Sequence, residues 1–240
     1  MRPLLVIASR EFLSFFRLPV GWIVIALFLL LTGAVFAIGV LVPGQAATMR
    51  PFFAISGWLL LPVVPAVSMR LFSEELRTGT IEPLLTSPVR DGVIVLGKFL
   101  GAACFLLSML LPTLAFPLTL ALVSQPRPDP GPIVAGYVSL VLLGLLNLSI
   151  GTLASACTSS QTLSFLATLF ILLGLLLVPM IPLATLPLVV QEVLGLVSIT
   201  SRLGDFAKGI IDTSHVAFFL SMSAWLLTLA TLALQSRRWR

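Results

Sequence analysis

Residues Phe72 to Gly97 read FSEELRTGTIEPLLTSPVRDGVIVLG, and the rest of the chain is arranged around them. The stretch separates two long apolar runs. It holds Glu74, Glu75, Glu82 and Asp91, out of nine acidic residues in the whole chain. A helix entering from the preceding run can continue through Phe72 to Arg77. Gly79 then supplies the left-handed backbone that ends a helix. Thr80 is placed to cap a second helix, Ile81 to about Leu85. Glu82 lies in its first turn, where a carboxylate suits the helix dipole. Pro83 also falls in that turn, where its missing N–H costs little. Ser87 and Pro88 form another cap-plus-proline start. The spacing thus predicts a short transverse helix between two longer ones. Ile81, Leu84, Leu85, Val89 and Val93 are too many large apolar residues for a loop facing water, so they pack on the bundle or, as preferred here, dock on a partner.

The chain has 240 residues, is 58% hydrophobic and only 10% charged, with a mean hydropathy of +1.14. A soluble domain carries roughly a quarter charged residues. So much apolar surface implies lipid as solvent, where only helices or closed barrels satisfy the backbone. The apolar runs reach about 20 residues or more without alternation, which favours helices. The net charge of +5 and a pI near 10.2 fit inner-surface flanks beside anionic lipid rather than nucleic acid. Cys104 and Cys157 read as packing residues near the inner side. The N-terminus lacks signal-peptide character, because Arg10, Glu11 and Arg17 break its apolar stretch.

Taken in order, residues 3–18 read as an amphipathic interfacial helix, with Leu5, Ala8, Phe12, Phe15 and Phe16 on one side and Arg10, Ser14 and Arg17 on another. Six spans are expected at about 21–41, 51–68, 99–123, 133–156, 162–182 and 215–234. Pro62 and Pro65 are expected to kink the second. Before the sixth span, Gln191, Glu192, Arg202, Asp205, Lys208 and Asp212 alternate with large apolar residues, which predicts short re-entrant or interfacial helices. The expectation is an all-α polytopic membrane protein with one transmembrane domain, residues 1–240, and no repeat.

Six spans put both termini on one side. That side carries Arg2, Arg10, Arg17, Arg70, Arg77, Arg90, Lys98, Arg237, Arg238 and Arg240. The other carries only Arg50, Arg127, Arg202 and Lys208. The positive-inside bias therefore assigns both termini and the central segment to the cytoplasm. Small residues recur at four-residue spacing, namely Gly97 and Gly101, then Asn147, Gly151 and Ser155. They are expected to be helix-packing faces, with Asn147 turned from lipid toward a helix or cavity.

No chemistry of its own is legible in the chain. The six expected spans contain no Asp, Glu, Lys or Arg. That argues against a self-powered ion-coupled transporter and against an intramembrane hydrolase. A metal site needs more ligands than one histidine and two separated cysteines supply. Gly92 to Lys98 matches the first seven positions of a P-loop. Its eighth position is Phe99, its four intervening residues are bulky, and no strand precedes it. A membrane helix starting near Asp91 is the better reading, so the chain has no nucleotide site and is expected not to be an enzyme. The runner-up reading is a membrane scaffold or anchor that holds a cytoplasmic partner without transport.

The run EELRTGTIEPLLTSP at Glu74 to Pro88 resembles the ABC-2 type transporter permeases, in particular those related to gliding-motility and nitrous-oxide-reductase maturation permeases. Arg10 to Phe12, Phe206 to Asp212 and Ser236 to Trp239 extend the resemblance along the chain. It implies half of an export channel in the inner membrane, paired with a second permease half as a homodimer or heterodimer. It also implies a separate cytoplasmic ATPase subunit that carries the ATP and Mg. The residues placed against that subunit would be Glu74, Glu75, Arg77, Gly79, Thr80, Glu82, Leu84 and Leu85, and the N-terminal helix would be an elbow or gate helix.

Overall fold

The computed structural model describes residues 2–42, 44, 46–80, 89–177 and 199–238. Among them every regular element is helical. The helices are α1 (Arg2–Arg17), α2 (Pro19–Val35), α3 (Arg50–Ser68), α4 (Ser73–Thr78), α5 (Asp91–Leu110), α6 (Ala115–Val123), α7 (Pro130–Cys157), α8 (Gln161–Leu177), α9 (Ile199–Ala207) and α10 (Thr213–Arg238). A π-helical turn, Phe36–Val40, extends α2, and a 3-10 turn, Leu111–Leu114, joins α5 to α6. Counting such continuations, five stretches among the described residues are long and apolar enough to cross a membrane: Pro19–Val40, Arg50–Thr78, Asp91–Val123, Pro130–Cys157 and Thr213–Ser236. A sixth apolar helix, Gln161–Leu177, has 17 described residues. The expected continuation of that span to residue 182, and the transverse helix at Ile81 to Leu85, lie outside the described residues.

Local sequence sets the boundaries. Pro19 forces Leu18 into an extended conformation (φ −99°, ψ 140°) and so parts α1 from α2. Asp129 caps α7 by accepting from the Gly131 N–H at 3.0 Å, with Pro130 following in the first turn. Pro112 has no N–H to give, and the helix tightens there into the 3-10 turn. The Tyr137 hydroxyl of α7 donates to the Thr113 carbonyl in that turn at 2.8 Å.

α7 is the hub, buried along most of its length and packed on α3, α5, α8, α9 and α10. Phe53 of α3 lies against Gly136, and Ser68 lies so close to Gly151 that a Cβ there would overlap its hydroxyl. α3 and α7 therefore run side by side in the same direction. α1 packs along α5, and Thr231 of α10 lies near Gly92 at the start of α5. The N-terminal helix and the last turns of α10 thus share one end of the bundle with α4.

The third long helix begins at Asp91, where the reading of Gly92 to Lys98 expects it, with Arg90 extended and Asp91 in the first turn of an unbroken helix. On α1, Phe12, Phe15 and Phe16 pack on the core together with Ile7, while Leu5 is 65% exposed and Glu11 turns toward α5.

Candidate coupling site

Lys98 lies two turns into α5 and its side chain is only 4% exposed. A buried ammonium needs a partner for each of its three protons. Lys98 Nζ has all three: it donates to Glu75 Oε1 at 2.8 Å, to the Leu71 carbonyl at 2.7 Å and to Glu11 Oε2 at 3.2 Å. The Phe72 ring covers it, with its centroid 5.3 Å from the nitrogen. One cation therefore joins α1, the α3–α4 corner, α4 and α5. Burial pushes the Glu11 carboxyl above its ordinary value, against the opposing pull of Lys98, and the neighbouring Glu75 charge adds to the rise.

The start of α4 is held from across the bundle. The first N–H groups of a helix have no partner within it. Here Ser155 Oγ of α7 accepts from the N–H of Phe72 at 2.8 Å and from that of Ser73 at 3.2 Å. The Ser73 hydroxyl in turn donates to the Met69 carbonyl. Phe72 and Leu71 are fully buried beneath this contact. At the other end of α4, Gly79 adopts φ 71° and stops the helix.

The residues expected to face a partner divide in two. Glu75 points into the bundle toward Lys98. Glu74 faces outward and pairs with Arg70 at 2.9 Å. Arg77, Thr78, Gly79 and Thr80 are exposed. Thr78 Oγ1 donates to the Glu74 carbonyl at 2.9 Å and lies 2.9 Å from Thr80 Oγ1. Glu82, Leu84 and Leu85 lie outside the described residues.

The small-residue positions sit at helix crossings. A Cβ at Gly97 would meet Ile7 at 2.8 Å, and one at Gly101 would meet Glu11 Cβ at 2.6 Å and the Ala8 carbonyl at 2.7 Å. These two glycines bring α1 close enough for Glu11 to reach Lys98. Gly151 faces α3 and Ser155 faces α4. Asn147 stands apart, 2% exposed and lining a cavity elsewhere. The sequence reading missed Lys98 and Glu11 as a pair, since 87 residues separate them. The signal was available only as a charge too deep in an apolar helix to be a loop residue.

The opposite end of the bundle carries its own polar cluster, on α9 and the start of α10. Arg202 can only donate, so its 3.0 Å contact makes His215 Nδ1 an acceptor and leaves the proton on Nε2, 3.2 Å from Asp205 Oδ2. Lys208 donates to Asp205 Oδ1 at 3.0 Å. Hydrogen bonds from Lys208 and then His215 hold the Asp205 carboxyl below its ordinary value.

A chain of long apolar helices, with its charges gathered at the two ends, is a multi-pass membrane protein. The family model for the ABC-2 family transporter protein matches residues 5–238, and the chain belongs to that family. Membership carries with it a non-enzymatic transmembrane role and association with an ATP-binding cassette partner. No curated protein matches the chain.

Proposed function

We propose that the chain is the permease subunit of an ATP-driven exporter in the inner membrane, with both termini cytoplasmic. It forms half of the translocation path beside a second permease half. A separate ATPase subunit, which binds the ATP and Mg, grips the segment from Phe72 to Gly97. The observation that carries this reading is the construction of α4. Its outer side presents Glu74, Arg77, Gly79 and Thr80, while its inner side is fastened by Glu75 to Lys98 and by Ser155 to α7. A push on the outer side therefore has rigid attachments through which to move α1, α5 and α7 together.

In this account ATP binding draws two ATPase subunits together and shifts the segment from Glu74 to Leu85. The bundle then tilts against its mate and opens a path. The test is transport-coupled ATPase activity of the reconstituted complex carrying Gly79→Pro or Glu82→Arg. Each variant is expected to uncouple hydrolysis from transport. Unchanged coupled activity in both would contradict the assignment.

A further inference from the structure

A cavity of about 340 Å³ lies between α3, α7, α8 and α9. Its walls are built mainly from apolar side chains such as Phe53, Leu143, Leu172 and Leu176. Besides the hydroxyls of Ser139 and Thr200, two polar groups stand out. At one end is Arg50, the exposed first residue of α3, which makes no salt bridge among the described residues. At the other is Asn147, 2% exposed, whose Nδ2 has no hydrogen-bond partner among the described residues.

The register of α3 on α7 sets their separation. The cavity wall runs from Arg50 to Leu61 on α3 and from Gly136 to Asn147 on α7. Phe53 is level with Gly136 and Ser68 with Gly151, so Asn147 is level with Val64, and at about 1.5 Å rise per residue it lies about 21 Å along the bundle from Arg50. That is about two thirds of a hydrocarbon core of roughly 30 Å. Water is a poor partner for Asn147, because a buried water needs about two to four polar groups. The side chains lining the cavity near Asn147 are leucines. The nearest lining hydroxyl on α7, Ser139, is two turns away and already donates to the Gly136 carbonyl at 2.7 Å.

We propose that this cavity binds a single-chain anionic amphiphile drawn from the membrane, with its acid group at Arg50 and an oxygen within its chain accepting from Asn147 Nδ2. The charge of Arg50 selects the head group. The leucine and phenylalanine walls take the chain. The buried amide selects a chain that carries an acceptor, since a plain acyl chain leaves Nδ2 unpaired. Such binding needs this chain alone, whether or not the α4 segment couples to an ATPase.

The test is equilibrium binding to the purified full-length chain in detergent, without nucleotide. The probe is a stearate hydroxylated toward the methyl end of its chain, compared with plain stearate and with the methyl ester of the hydroxylated acid. The hydroxylated acid is expected to bind about tenfold more tightly than plain stearate. Asn147→Leu should erase that difference while leaving stearate binding in place. Arg50→Gln should weaken the acid and not the methyl ester. Equal affinity of wild type for the hydroxylated and plain acids would overturn the proposal and assign the cavity to any acyl chain. So would a preference that survives in both variants. The wild-type comparison and the Arg50→Gln arm keep the test decisive if Asn147→Leu does not fold.

Discussion

Lys98 Nζ lies 2.8 Å from Glu75 Oε1, and the same nitrogen reaches Glu11 from the other side at 3.2 Å. Removing a buried cation leaves its carboxylates uncompensated, which is far costlier than never having made the pair. Lys98→Met should therefore destabilise the chain by about 3–5 kcal/mol, read as a drop in thermal midpoint in detergent. Adding Glu75→Gln and Glu11→Gln should restore a good part of the loss. An unchanged midpoint for Lys98→Met would show that the three helices do not depend on this contact.

Ser155→Ala removes the only side-chain acceptor that the described residues offer to the Phe72 and Ser73 N–H groups. Two buried donors are left without a partner, at about 1–3 kcal/mol each before relaxation. Amide exchange at Phe72 to Leu76 should speed up selectively, while the middle of α7 stays protected.

The contact of α1 with α5 rests on absent side chains. Gly101→Leu would drive a Cβ into Glu11 and the Ala8 carbonyl, neither of which can swing aside. The variant should loosen α1, measured as faster proteolysis between Arg10 and Arg17. Gly174→Ala is the control, because a Cβ there meets nothing within 4 Å.

Glu11 makes the stability of the chain pH-sensitive. Its carboxyl is raised above the ordinary value of 4.5, chiefly by burial. A raised acid binds its proton more tightly in the folded chain than in the unfolded one. Its favourable contribution is therefore complete below about 4.5 and declines as pH rises through the raised folded value. Thermal midpoints of wild type and Glu11→Gln should diverge over that interval, the wild type losing ground as the pH rises. Parallel curves would place Glu11 in a solvated setting.

The sequence made the helices legible where hydropathy and punctuation agree. The apolar runs locate the long helices, and Gly79 stops α4 because only a residue without a Cβ adopts φ 71° at little cost. The distant partners of a polar residue were not legible. A helix starting near Asp91 already holds Lys98, but nothing local shows that its three protons are bonded to residues far away in the chain. The inward turn of Glu11 was not legible for the same reason: the glycines of α5 and the buried lysine draw it in. Asn147 was legible as a residue turned away from lipid. That it faces a cavity depends on how α8 and α9 close over α7, which no local pattern encodes.

The most direct test of the coupling claim is site-directed cross-linking at Arg77, the exposed basic residue in the last turn of α4. In a chain with Cys104→Ala and Cys157→Ala, Arg77→Cys should cross-link to the co-purified ATP-binding cassette subunit, and the yield should change when nucleotide is added. Arg50→Cys, at the opposite end of α3, should not cross-link. A cross-link absent at Arg77 with the complex intact, or equal at both positions, would contradict the account.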